Sequence, residues 1–223
     1  MSRSTPASPS FDPACADCPR LAGFLRDVQA RHPCYHCAPV APFGSRSARL
    51  LVVGLAPGMH GANRTGRPFT GDYAGVLLYE TLHRHHFASQ PKGEDPADGL
   101  QLLDCRISNA VKCLPPDNKP SPLEIQTCNR YLAAELAQPD GPRVLLTLGK
   151  IAHDAVLRAL DLRTLGLRAS AFPFGHGREF ALPDGRVVLA SYHCSRYNTN
   201  TRRLTPEMFD AVVARARALV EVA

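Results

Sequence analysis

Short apolar runs recur along the chain at strand length: RLLVVG (49–54), DCRISNAVKC (104–113), RVLLTLG (143–149) and RVVLASY (186–192). Runs of four to eight apolar and β-branched residues, each followed by a loop or a helix, predict strands of a buried sheet. Helical patterns lie between and after them. At SPLE, Ser121 can cap, Pro122 suits the first turn and Glu124 completes a capping box, which predicts a helix running to about Ala137. Thr205-Pro206-Glu207 opens a last helix in the same way, with Phe209, Val212, Val213, Ala216, Leu219 and Val220 as its apolar stripe. Strands alternating with helices predict an α/β fold: a central, mainly parallel sheet flanked by helices on both faces, with ligands bound beyond the carboxyl ends of the strands.

Composition narrows this to one domain. With 223 residues and 44% hydrophobic side chains the chain can bury a sizeable core, and residues 14–223 are expected to form a single domain after a disordered, Ser- and Pro-rich tail over 1–13. No run is long and apolar enough to span a bilayer, and the N-terminus has no apolar signal region, so a cytoplasmic monomer away from membranes is expected. A net charge of +6 with pI near 9.0 favours an anionic partner and admits nucleic acid.

The 8 cysteines bear on cofactor chemistry, because a reducing compartment disfavours disulfides. Four stand close together in CADCPRLAGFLRDVQARHPCYHC: Cys15, Cys18, Cys34 and Cys37 have zinc-ribbon spacing. A second grouping competes, with Cys15 and Cys18 joined by Cys113, after a strand, and Cys128, on the capped helix, as four thiolates for an iron–sulfur cluster. The residues alone leave both open.

The loop after the first run, LAPGMHGANRTGRPFTGDYAG, holds five glycines, two prolines and two arginines ahead of a helix. Glycines let backbone amides approach a ligand closely, while the phosphate-binding and dinucleotide-binding spacings are both missing. Asp72, close after Phe69, offers a negative charge beside a flat stacking surface, which suits a planar base.

GLAPGMHGANRTGRPFTGD, ISNAVKC, LTLGKIAH, FPFGHG and SYHCSRYNTNTRRLTPEMF together resemble the type-b, family 5 uracil-DNA glycosylases of bacteria and archaea, over about residues 15–220. The resemblance implies a monofunctional DNA glycosylase of base excision repair that flips a uracil out of DNA and hydrolyses its N-glycosidic bond, with other deaminated bases such as hypoxanthine as further expected substrates. It implies that Asp72 is the catalytic carboxylate and that His193 contacts the uracil. Phe69 would stack on the base and Asn109 read its edge, with Gly54 and Leu55 completing the base-binding group. Leu55 stands where other members of the superfamily carry a polar residue, so water activation is not expected there. Ser195, Arg196, Asn198, Thr201, Arg202 and Arg203 are candidate DNA contacts, since base flipping needs a loop that holds the backbone and fills the gap. Arg202 departs from the family pattern, in which the residue before Arg203 is usually glycine, and a small change of loop geometry is expected. The resemblance also implies the second cysteine grouping, a structural 4Fe-4S cluster on Cys15, Cys18, Cys113 and Cys128. Zinc in a ribbon, on a nucleic-acid-binding protein that no longer catalyses, is the alternative.

Other clusters carry less. HRHH (83–86) reads as a solvated helix end, Cys194 as a small buried residue, Cys105 as core, and His60 equally as a loop residue or an active-site contact. Lys150 is the lysine to watch for Schiff-base chemistry.

Overall fold

The computed structural model describes residues 11–138 and 140–222. Residues 1–10 of the expected tail therefore lie outside the described residues, while Phe11 packs edge-on against Tyr131 with ring centroids 5.8 Å apart. In chain order the elements are α1 (Pro19–Arg31), β1 (Phe43–Gly44), β2 (Leu50–Gly54), α2 (Ala62–Thr65), α3 (Tyr73–Arg84), β3 (Cys105–Asn109), α4 (Pro122–Leu136), β4 (Val144–Leu148), α5 (Lys150–Ala159), β5 (Glu179–Ala181), β6 (Val187–Ser191), α6 (Arg196–Asn200) and α7 (Pro206–Glu221). One sheet of order β1-β3-β2-β4-β6-β5 results. Its four inner strands are parallel, and the two short outer ones pair antiparallel.

Every residue of β2 and β4 is buried, because helices cover both faces. Alternation along the pleat divides the core. Leu50, Val52, Ile107, Leu146 and Leu189 pack with α3 and α7, whereas Leu51, Val53, Leu145 and Val188 pack with α4 and α5. The Ser121 capping box forms on α4, and Thr205 caps α7 by accepting from the Met208 amide at 3.2 Å. Cys105 and Cys194 are wholly buried among apolar neighbours. No helix among the described residues is long and apolar enough to cross a membrane.

Helix α1 decides how the cysteines can be grouped. Leu21, Leu25 and Val28 form its buried stripe, Pro19 occupies the first turn and Cys18 is its N-cap. Its 13 residues rise about 20 Å, placing the two C-x-x-C pairs at opposite ends. Cys34 and Cys37 do not line the small cavity that Cys15 and Cys18 share, so the structure does not bring the four zinc-ribbon cysteines together there.

Candidate active site

The carboxyl ends of β2, β3 and β4 and the segment after β6 surround a cavity of about 640 Å³. Loop 55–72 follows β2, and its last residue, Asp72, caps α3: Oδ1 accepts from the Gly75 amide at 2.8 Å. Capping explains why the carboxylate points where it does, since an N-cap oxygen must turn back over the first helical turn. Its other oxygen faces the loop, where a Cβ on Gly61 would collide with Oδ2. Burial pushes the Asp72 carboxyl above the usual range, against the pull of the Gly75 and Ala74 amides.

Phe69 lies across the base of the cavity, 6% exposed, in a left-handed backbone of φ 53°. Its ring is 5.9 Å from that of His193, the planes inclined by only 26°. Burial pushes the His193 imidazole down to about 4, so the ring is neutral near pH 7. Asn109 ends β3, and its Oδ1 is buried with no hydrogen-bond partner among the described residues. Gly54 supports both groups from below, because a Cβ there would lie 2.5 Å from Asn109 Oδ1 and 2.7 Å from Phe69 Cζ. Only glycine lets the amide and the ring share this floor.

The third wall comes from the segment after β6. Ser195 caps α6, Asn198 Nδ2 donates to the His193 carbonyl at 2.8 Å, and the Arg196 guanidinium lies 5.0 Å from the Tyr73 ring centroid. An unpaired buried acceptor, a neutral imidazole, an aromatic face and a half-buried carboxylate thus meet around one hole bordered by arginines.

A family model described as the uracil DNA glycosylase superfamily matches residues 41–217, and a relative from Thermus thermophilus named type-5 uracil-DNA glycosylase is 46% identical over 211 residues, 92% of this chain and 94% of that one. The chain belongs to the type-5 uracil-DNA glycosylases. A relative of the same name from Mycobacterium bovis is 41% identical, covering 93% of this chain and 79% of its own, and one from Pyrobaculum aerophilum is 39% identical over 92% and 88%.

Of the residues expected in this type-5 site, Leu55, Phe69, Asp72, Asn109, His193, Ser195, Arg196, Asn198 and Arg203 all line the cavity. Gly54 sits just beneath it, while Thr201 and Arg202 stand outside, exposed at the end of α6. Arg202 has φ 55°, the backbone conformation glycine favours, so the extra charge is carried on a left-handed turn. His60 is not among the residues that line the cavity, and its Nδ1 lies 2.9 Å from the Tyr35 hydroxyl. Lining residues that sequence reasoning did not single out include Tyr73, Asn118, Phe174 and Tyr192. Asn118 is signalled only by the turn-forming run PPDNKP, in which Asp117 and Asn118 both adopt left-handed backbone.

The cysteines fall into two settings. Cys15, Cys18, Cys113 and Cys128 line one small cavity between the start of α1, the loop after β3 and α4. Burial raises the Cys18 and Cys113 thiols to about 11 and about 12, and raises Cys128 as well, so an inserted cation would have to displace their protons. The Cys128 sulfur already accepts from the Lys112 amide at 3.2 Å, a polarising contact suited to a bound thiolate. Cys34 is exposed, and the Cys37 sulfur instead accepts from Asn63 Nδ2 at 3.6 Å. Four thiols lining one small cavity are a donor set of the kind that suits a cluster, and Cys34 and Cys37 are not among them.

Proposed function

We propose that this chain is a monofunctional uracil-DNA glycosylase of base excision repair, which flips uracil out of DNA and hydrolyses the bond between N1 of the base and C1′ of the sugar. The observation that carries this reading is the orphaned Asn109 Oδ1 in a cavity that also holds Asp72, His193 and the Phe69 ring. A buried acceptor without a partner costs roughly 1–3 kcal/mol, and a base edge bearing an N–H relieves that cost.

Each group has a task set by the charges that develop. As the C1′–N1 bond lengthens, positive charge grows on the sugar and negative charge on the base. Asp72 stabilises the sugar and orients or deprotonates the attacking water. Burial raises its pKa, which makes it a stronger base than an exposed aspartate. His193, neutral, donates to a base oxygen and stabilises the departing anion without having to lose a charge of its own. Phe69 holds the ring plane by stacking, and Leu55 and Ala56 contribute apolar walls. Lys150 lines the cavity and forms an exposed pair with Asp154 at 2.6 Å, while Lys112 does not line it and is buried against Glu135 at 2.8 Å.

Ser195, Arg196, Asn198, Thr201, Arg202 and Arg203 hold the DNA backbone in this reading, and deaminated bases such as hypoxanthine share the pocket. Cys15, Cys18, Cys113 and Cys128 would hold a 4Fe-4S cluster, whose chemistry here is structural: a four-point cross-link between the N-terminal segment and the loop after β3. The acting species is taken to be the monomer. The reading is tested with a labelled duplex holding one uracil, alongside hypoxanthine and xanthine duplexes with each opposite base. Free uracil and an alkali-labile abasic site are expected, with about four irons and four sulfides per chain for four thiolate ligands. Absence of uracil release, or strand scission trapped by borohydride, would overturn it.

A further inference from the structure

The segment ASQPKGEDPADG (88–99) reads in sequence as a surface loop, yet it reaches back to the turn that carries Phe69 and Asp72. Asp98, near its end, grips Arg67 at both carboxylate oxygens: Nη1 donates to Oδ1 at 2.9 Å and Nη2 to Oδ2 at 2.7 Å. The same oxygens accept from the amides of Glu94, Asp95 and Leu100 at 3.0, 3.2 and 3.0 Å. Asp98 is thus fixed by its own loop before it fixes anything else. Arg67 passes the constraint on, since its side chain is only 8% exposed and its Nε donates to Thr70 Oγ1 at 2.7 Å. A second tie lies beside it, where the Gly71 amide donates to the Gly93 carbonyl at 3.0 Å. Asp72 is the next residue.

This turn needs holding. Phe69 sits at φ 53°, a conformation unfavourable for a residue with a side chain, and such backbone persists only where its surroundings over-determine it. A forked, mostly buried arginine–carboxylate pair supplies direction as well as attraction. The Arg67 guanidinium holds the Asp98 carboxyl well below the usual carboxylate range, so the pair stays charged at neutral and mildly acidic pH. Asp98 itself does not line the cavity.

We propose that Asp98 is a positioning residue for base excision, holding Phe69 and Asp72 in working geometry through Arg67 without touching the substrate. This rests on the roles given to Phe69 and Asp72 above. Asp98→Asn keeps the shape and removes the charge, and Arg67→Lys keeps the charge and removes the fork. Both, made in the full chain, are expected to slow single-turnover uracil excision at least about tenfold, since small misplacements of reacting groups are costly. Affinity for a duplex with non-cleavable 2′-fluorodeoxyuridine should stay within about threefold of the parent, and the melting temperature within a few degrees. In Asp72→Asn/Asp98→Asn the two losses should combine to less than their product, because one acts through the other. Excision by Asp98→Asn at the parental rate, loss of affinity and melting temperature in step with rate in both variants, or a fully multiplicative double variant would each overturn the proposal. Failure of the parent itself to release uracil would strike the functional reading instead.

Discussion

His193 should act as a neutral donor across the whole working pH range, and acidification tests this directly. Burial moves its pKa from the ordinary 6.5 to about 4. At pH 7 roughly one ring in a thousand is then charged, and charging the rest would cost about 4 kcal/mol at 1.36 kcal/mol per pH unit. The excision rate should therefore show no inflection near 6.5. His193→Ala should run parallel to the parent from pH 8 to pH 6 and lower by on the order of 100-fold, the usual loss when a donor to a leaving oxyanion is removed. Stability gives the same shift an independent sign. Between pH 6.5 and 4 the unfolded chain takes up a proton that the folded ring refuses, so stability falls as pH falls, by at most about 3 kcal/mol. His193→Ala should lose that part of the pH dependence. The rate is measured by single-turnover excision from a uracil duplex, the stability by urea unfolding at each pH. A parental rate profile that bends near 6.5, with an imidazole resonance titrating there, would refute the reasoning.

Asp72, whose pKa is raised by burial, should set the acid limb: excision is present above its pKa and lost as pH falls through it, at a pH above the usual carboxylate range, and Asp72→Asn should remove that limb. Gly54→Ala would drive a methyl into Asn109 and Phe69, so excision should fall at least about 100-fold, with stability lowered by about 1–3 kcal/mol in urea unfolding. Arg202→Gly separates charge from backbone: relief of the left-handed strain should stabilise the fold by up to about 1 kcal/mol. The same change should make log–log salt dependence of DNA affinity shallower by about 0.9 if Arg202 meets one phosphate.

Much of the fold could be read from local pattern. The four inner strands announce themselves as apolar runs because they are covered on both faces, and α4 and α7 because their caps obey local chemistry. The edge strands β1 and β5 were not expected, being two and three residues long and held mainly by pairing with a neighbour. Helix α1 is hard to read from sequence for a different reason. Its stripe at Leu21, Leu25 and Val28 is regular, but the flanking C-x-x-C pairs draw the eye to a local metal module instead. The polar machinery was recognisable as residue types in a strand-end loop. What sequence could not convey was the near-stacking of Phe69 on His193, the unpaired Asn109 oxygen, or the tie between Arg67 and Asp98, which are 31 positions apart. These are tertiary facts, created when separate loops meet over the ends of the sheet.

The central claim is that the carboxylate of Asp72 drives removal of the base. It is tested most directly by single-turnover excision from a uracil-containing duplex by Asp72→Asn, with binding to the non-cleavable analogue measured on the same preparation. The account predicts a rate lower by at least about 100-fold, as for loss of a general base, with binding retained. A near-parental rate in that variant would contradict it.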